Sequence, residues 1–191
     1  MSDAALSTRP LPAGVTAHAV WGHVERADGT PRDRHILQWT HPARTGPPNL
    51  VVGMNPSGAS EALGDQTMTV LWEFERRWNN GWHVMANVNP TRATEPRGMA
   101  WDAEALRWNR MRLEEHAKAV VALGGLVVVA WGSPALPKVH RDLFREEAAR
   151  IYTMLMDVGA APLCLGVSRS GAPRHPLMLR YDTPLVPWSP R

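Results

Sequence analysis

Apolar residues along this chain fall into two alternating rhythms. Short unbroken runs at residues 50–54, 83–88, 126–131 and 161–167 are rich in Val, Leu or Ala without polar alternation, as strands covered on both faces are. Between them the spacing turns helical. Residues 65–78 set Met68, Leu71, Trp72 and Phe74 on overlapping faces, and residues 101–123 place Leu106, Leu113, Ala117 and Val120 at helical spacing before Gly124-Gly125. Residues 139–158 align Val139, Leu143, Ile151 and Leu155 and stop at Gly159. Strands alternating with helices of this length predict a three-layer α/β/α sandwich around a central, mostly parallel four-stranded sheet. Ahead of it, residues 20–26 and 34–40 flank the turn signal Ala27-Asp28-Gly29-Thr30 and read as a β-hairpin or an antiparallel edge. Residues 1–17 read as a flexible leader, and 18–191 as a single domain, because 191 residues suffice for one sizeable core.

The ends of the four runs share a chemistry. Each leads into Asn, Gly, Ser or His beside proline: Asn55-Pro56, Asn87-Val88-Asn89-Pro90, Gly132-Ser133-Pro134 and His175-Pro176. In open parallel sheets ligands bind outside the carboxyl ends of the strands, so these loops should converge on one site. Asn55 can hold a water or a hydroxyl through its amide oxygen, but it cannot take a full proton at neutral pH. That suits expulsion of a leaving group through an oxocarbenium-like transition state, where the water needs positioning more than deprotonation. His175 is the complementary donor to negative charge on the leaving group. The competing role for Asn55 is a turn residue capping its own loop. Asp65, in Asp65-Gln66-Thr67, is either a general base or the cap of the helix that starts there, and the pattern favours the cap.

Charge and composition narrow the partners. The formal charge is +3 and the lysines are only Lys118 and Lys138, so nearly all positive charge is guanidinium, suited to phosphate contacts and base stacking. A GC-rich genome would produce the same bias. The lone Cys164 excludes a disulfide framework within the chain and a four-cysteine iron–sulfur cluster and fits a cytoplasmic location. No signal segment is visible at the amino terminus, and the longest apolar run falls short of the ~18 residues of a spanning helix. The eight histidines show no metal-ligand spacing, so no metal or cofactor is expected. His83 and His140 read as surface or boundary residues. Most of the nine tryptophans read as core filler, with Trp82, Trp101 and Trp131 as candidates for a stacking wall.

Gly53-Met54-Asn55-Pro56-Ser57 resembles the Gly-x-Asn-Pro-Gly first motif of the mismatch-specific uracil/thymine-DNA glycosylase branch of the uracil-DNA glycosylase superfamily. His175-Pro176-Leu177 resembles a shortened form of that superfamily's His-Pro-Ser-Pro motif. Ala86-Asn87-Val88-Asn89-Pro90 is similar to its Asn-Val-Val-Lys segment, and Val127 to Gly132 to the strand before its next loop. The same layout, Asn55-Pro56-Ser57, Asp65-Gln66-Thr67 and Gly171-Ala172-Pro173-Arg174-His175-Pro176, is similar to that of a set of small bacterial and phage proteins. The resemblance covers residues 50–180 and implies a monofunctional, monomeric DNA glycosylase that hydrolyses the N-glycosidic bond of a flipped base. Asn55 would position the water, Asn87 would read the base and His175 would bond the departing base. Gly53, Met54, Pro56, Ser57, Asn89 and Trp131 would complete the pocket. The segment after His175 lacks the second Ser-Pro, so the wedge filling the vacated stack falls to Leu177, Met178, Arg169 or Arg174. Arg169, Ser170 and Arg174 would contact DNA phosphates. The implied role is base repair or, given Gly/Arg-rich loops that admit a bulky substituent, antiviral defence against phage carrying modified bases. Two rivals stand beside it: a non-catalytic nucleic-acid or nucleotide-binding module on the same fold, and a nucleoside-directed hydrolase or transferase.

Overall fold

A computed structural model describes residues 8–133, 135–177 and 179–190. In chain order it contains β1 (Thr8–Pro10), β2 (Thr16–Trp21), β3 (Arg34–Thr40), β4 (Gly46–Gly53), β5 (Leu63–Asp65), α1 (Gln66–Trp78), β6 (Gly81–Asn87), α2 (Ala103–Ala122), β7 (Leu126–Val129), α3 (Lys138–Asp157), β8 (Leu163–Cys164) and β9 (Val186–Pro187). The fold is mixed α/β. The main sheet runs β2-β3-β6-β4-β7-β8-β9. Its middle is parallel, with β4 between β6 and β7 and β8 beyond β7. The outer pairings β2/β3, β3/β6 and β8/β9 are antiparallel. The four apolar runs therefore supply adjacent parallel strands, and the expected four-stranded sheet becomes seven-stranded because antiparallel strands extend it on both sides.

Side-chain alternation along the strands feeds two cores. Leu50 and Val52 of β4 join Leu113 and Ala117 of α2 and Ile151 and Leu155 of α3. Val51, between them, joins Met85, Val128 and the α1 residues Met68 and Leu71 on the other face. All three β4 residues are fully buried, and each such side chain contributes about 1.5–3 kcal/mol relative to exposure. Two aspartates set the starts of the first two helices. Asp65 accepts a hydrogen bond from Met68 N at 2.8 Å, and Asp102 accepts from Glu104 N and Ala105 N at 2.9 and 3.1 Å.

Two expectations change and one is borne out. Within the expected leader, Thr8–Pro10 pairs antiparallel with Leu63–Asp65 and β2 begins at Thr16, so residues 8–17 are tied to the domain; residues 1–7 lie outside the described residues. The edge pair β2/β3 is present, but it runs from Thr16↔Thr40 to Trp21↔Arg34 and bulges after Val20. Beyond the bulge the pairing continues irregularly, with Gly22 N donating to Asp33 O, Arg32 N to Val24 O and Glu25 bridging Pro31 antiparallel, and it closes in the expected turn, where Arg26 N donates to Thr30 O, Gly29 N donates to Arg26 O and the Asp28 side chain accepts from Thr30. The last parallel strand is only Leu163–Cys164: Pro162 precedes it and Gly166, at φ 88°, turns the chain away.

At the opposite end of the sheet from the strand carboxyl ends, β4 and β6 approach through Gly81. A Cβ there would lie 1.8 Å from Pro47 O, backbone that cannot swing aside. Gly81→Ala is expected to lower stability by about 3 kcal/mol, read as a reduced urea midpoint with an unchanged slope.

Candidate functional site

The carboxyl ends of β4 and β6 and the loop after β8 enclose a cavity of about 270 Å³, close to the ~300 Å³ lower end of small-molecule sites. Gly53 and Asn87 are the last residues of β4 and β6. Gly53, Met54, Asn55, Ser57, Asp65, Asn87, His175 and Leu177 all line it. Residues far apart in sequence thus meet where a parallel sheet places its ligands.

Asn55 is oriented by its surroundings. Its Nδ2 donates to Pro56 O at 3.0 Å and to Ala93 O at 2.8 Å. Two carbonyl acceptors fix which end of the amide is nitrogen, and Oδ1 remains the acceptor. Asn87 differs. It is fully buried, and neither Nδ2 nor Oδ1 has a partner among the described residues. Its place depends on Gly53, where a Cβ would lie 2.8 Å from Asn87 Oδ1. From behind, Asn109 of α2 donates through Nδ2 to Asn87 O at 2.8 Å. An amide buried with both ends unmet is costly, and here it belongs to a cavity wall.

His175 sits on the loop after β8. The backbone N–H of Leu177 donates to its Nδ1 at 3.3 Å, so the neutral ring carries its proton on Nε2. Burial pushes the His175 pKa below its ordinary value, and the Asp65 carboxylate acts in the opposite direction. The loop is packed against Gly132, whose φ is 72° and where a Cβ would come within 3.1 Å of His175 Cβ. Asp65 combines two positions: its Oδ1 caps α1 and the residue lines the cavity.

Arg34, the first residue of β3, lines the cavity as well. Its side chain is among the largest that are fully buried. It donates through Nη1 to Ala59 O, and burial lowers its pKa to about 10.

Residues 34–177 match the family model described as Protein of unknown function (DUF1643). The chain belongs to that family. No curated protein and no solved structure matches it. The segment shared with the family opens at Arg34 and closes at Leu177, and so contains every residue that lines this cavity.

Several site expectations are corrected within that shared segment. Pro56 is buried behind the wall, its carbonyl accepting from Asn55 Nδ2 and Ala93 N. Asn89 does not reach the cavity: its Nδ2 donates to Ala100 O and its Oδ1 accepts from Thr91 N, both at 2.8 Å, so the amide is consumed in pinning its own loop. Trp131 turns away and packs edge-on against Trp188 at 5.0 Å, lining a separate cavity of about 680 Å³. Trp82 and Trp101 pack on the α2/α3 core and line no wall of the site. Arg169, Ser170 and Arg174 are exposed on the loop that leads to His175, where Ser170 bonds Ser133 and Ser168. Met178 lies outside the described residues. His83, expected at a surface or boundary, is fully buried and bonded to Glu75.

Sequence reasoning missed Arg34, Asn109 and the 93–96 segment. Arg34 carries no signal, since a charge at the head of an apolar run reads as a solvent-facing strand end. Asn109 does carry one: it interrupts the stripe Leu106, Leu113, Ala117 at a core-facing position, where an amide needs a designated partner. Among the described residues no group of three or more His, Cys, Asp or Glu is placed to hold a metal, and no helix is long and apolar enough to cross a membrane.

Proposed function

We propose that the protein is a monofunctional DNA glycosylase built on an α/β/α fold of the uracil-DNA glycosylase kind. The observation that carries this reading is the buried, unpartnered Asn87 amide on the wall of a cavity that Asn55 and His175 also line. One donor and one acceptor side by side match the paired donor and acceptor on the Watson–Crick edge of a flipped base.

The chemistry follows from the three side chains. Asn87 holds the base edge. As the glycosidic bond stretches, negative charge gathers on the base, and the Nε2–H of neutral His175 donates to it. Positive charge gathers on the sugar, and Asn55 Oδ1 holds a water against it without removing a full proton. Leu177, which lines the cavity, is the proposed residue that fills the stack, and the exposed Arg169 and Arg174 supply salt-sensitive phosphate contacts. A cavity of about 270 Å³ takes the base itself. A bulky modification, as in phage DNA, would have to project through its mouth.

The test incubates the protein with labelled duplexes containing uracil, hypoxanthine, a G·T mismatch, hydroxymethylcytosine or glucosylated hydroxymethylcytosine, followed by alkali. Strand cleavage at one base is the expected result. Tight duplex binding without cleavage at any base would replace this reading with a non-catalytic binding module.

A further inference from the structure

A cation sits in the cavity wall with no ion-pair partner among the described residues. Arg34 is 2% exposed. Its Nη1 donates to one carbonyl, that of Ala59, and its Nε has no partner among the described residues. None of the ion pairs among the described residues includes it. Asp65 and Glu61 attract it through space, and Arg92 repels it. A buried guanidinium left this way is costly, and holding one backbone carbonyl does not require a charge.

The other cavity groups do not supply that charge. His175 is held neutral by burial, Asn55 and Asn87 are amides, and Asp65 is an acid committed at Oδ1 to the α1 cap. Even with its pKa lowered to about 10, Arg34 stays protonated at neutral pH. It is a donor only and cannot accept, so whatever faces it must present oxygen or negative charge.

We infer that Arg34 is a further catalytic residue of this cavity, whose guanidinium takes up the negative charge of the departing base. The inference rests on the base-excision reading. The C1′–N bond breaks heterolytically and its electron pair leaves on the base nitrogen, so the base departs as an anion with charge spread onto its exocyclic oxygens. The water held by Asn55 bonds C1′ of the oxocarbenium ion, and the proton it releases is taken by the base anion. The products are the neutral base and an abasic sugar. Neutral His175 contributes a hydrogen bond to that anion, and Arg34 contributes the countercharge. Substrates of this site are accordingly bases whose leaving nitrogen is conjugated to exocyclic oxygen.

The experiment measures calorimetric binding of free uracil, 5-fluorouracil and 5-nitrouracil, probes of rising acidity, to the whole chain and to Arg34→Gln at pH 8, beside the duplex panel. Wild-type affinity is expected to climb at least about tenfold with base acidity, the gain an opposite charge at close range gives. Arg34→Gln should flatten that trend while its melting temperature holds. If Arg34→Gln does not fold, the wild-type pH profile for 5-nitrouracil decides, since affinity must rise as that base ionises. Equal wild-type affinity for all three bases, no rise on ionisation, or an intact trend in Arg34→Gln overturns the role of Arg34 and leaves the base-binding reading standing. Absence of both base binding and cleavage overturns the two together.

Discussion

His175→Ala is expected to lower single-turnover excision by about 10²–10³-fold, the usual loss when one donor to a developing anion is removed, with duplex affinity nearly unchanged. The pH profile carries the sharper test. Burial holds the His175 pKa below the ordinary value of 6.5. Protonation would put a hydrogen on Nδ1, opposite the Leu177 N–H that now donates to it at 3.3 Å, and would break the contact that orients the ring. Wild-type activity should therefore stay level as pH falls through 6.5 and decline only below it. The same depressed pKa has a stability consequence of matching sign: its contribution is complete above the unfolded-state value and is lost as pH falls from there through the folded-state value. An acid limb centred at or above 6.5, or one that survives in His175→Ala, would remove the imidazole from the mechanism.

How far the site could be read from sequence depended on what each residue touches. The strand-end rule brought Asn55, Asn87 and His175 to one place because it rests on backbone topology, and β4, β6, β7 and β8 do run parallel and adjacent; the fourth loop expected there does not join them, since Gly132 and Ser133 line the separate cavity beside Trp188. It could not sort two asparagines two residues apart. Asn87 lines the cavity with its buried amide unmet while Asn89 is spent on Ala100 and Thr91, and the difference lies in a loop whose course is set by the tertiary fold. Trp131 failed for a similar reason. It follows a correctly placed strand, yet Trp188 from the end of the chain captures its ring. Arg34 was invisible because burial of a guanidinium runs against every compositional expectation.

Asn109 shows how the second layer of the site is built. Its Nδ2 donates to Asn87 O, and its Oδ1 lies 3.4 Å from His35 Nδ1. The amide therefore joins α2 to the end of β6 behind the proposed reading residue. Such a residue touches no ligand, but it sets where Asn87 stands, and misplacement on the ångström scale is enough to cost about 10²-fold in a positioned reaction.

Asn55 yields the second large effect, and its direction separates two ideas of what the residue does. Were it a weakened base, Asn55→Asp would restore a carboxylate and raise the rate. The geometry argues the reverse. Asn55 Nδ2 donates to Pro56 O and Ala93 O at 3.0 and 2.8 Å, and an aspartate oxygen in that place would face two carbonyl oxygens with no hydrogen to share. At neutral pH the ionised side chain would rotate away from those carbonyls, which leaves no acceptor correctly aimed at the water. Asn55→Asp and Asn55→Ala should therefore both lose about 10²-fold or more in single-turnover excision while retaining duplex affinity. Asn55→Asp should recover part of its loss as pH falls toward the carboxylate range, where a protonated carboxyl can donate to one carbonyl again. A faster Asn55→Asp enzyme at neutral pH would mean that the Pro56 and Ala93 contacts do not hold the side chain, and that the water is deprotonated rather than positioned.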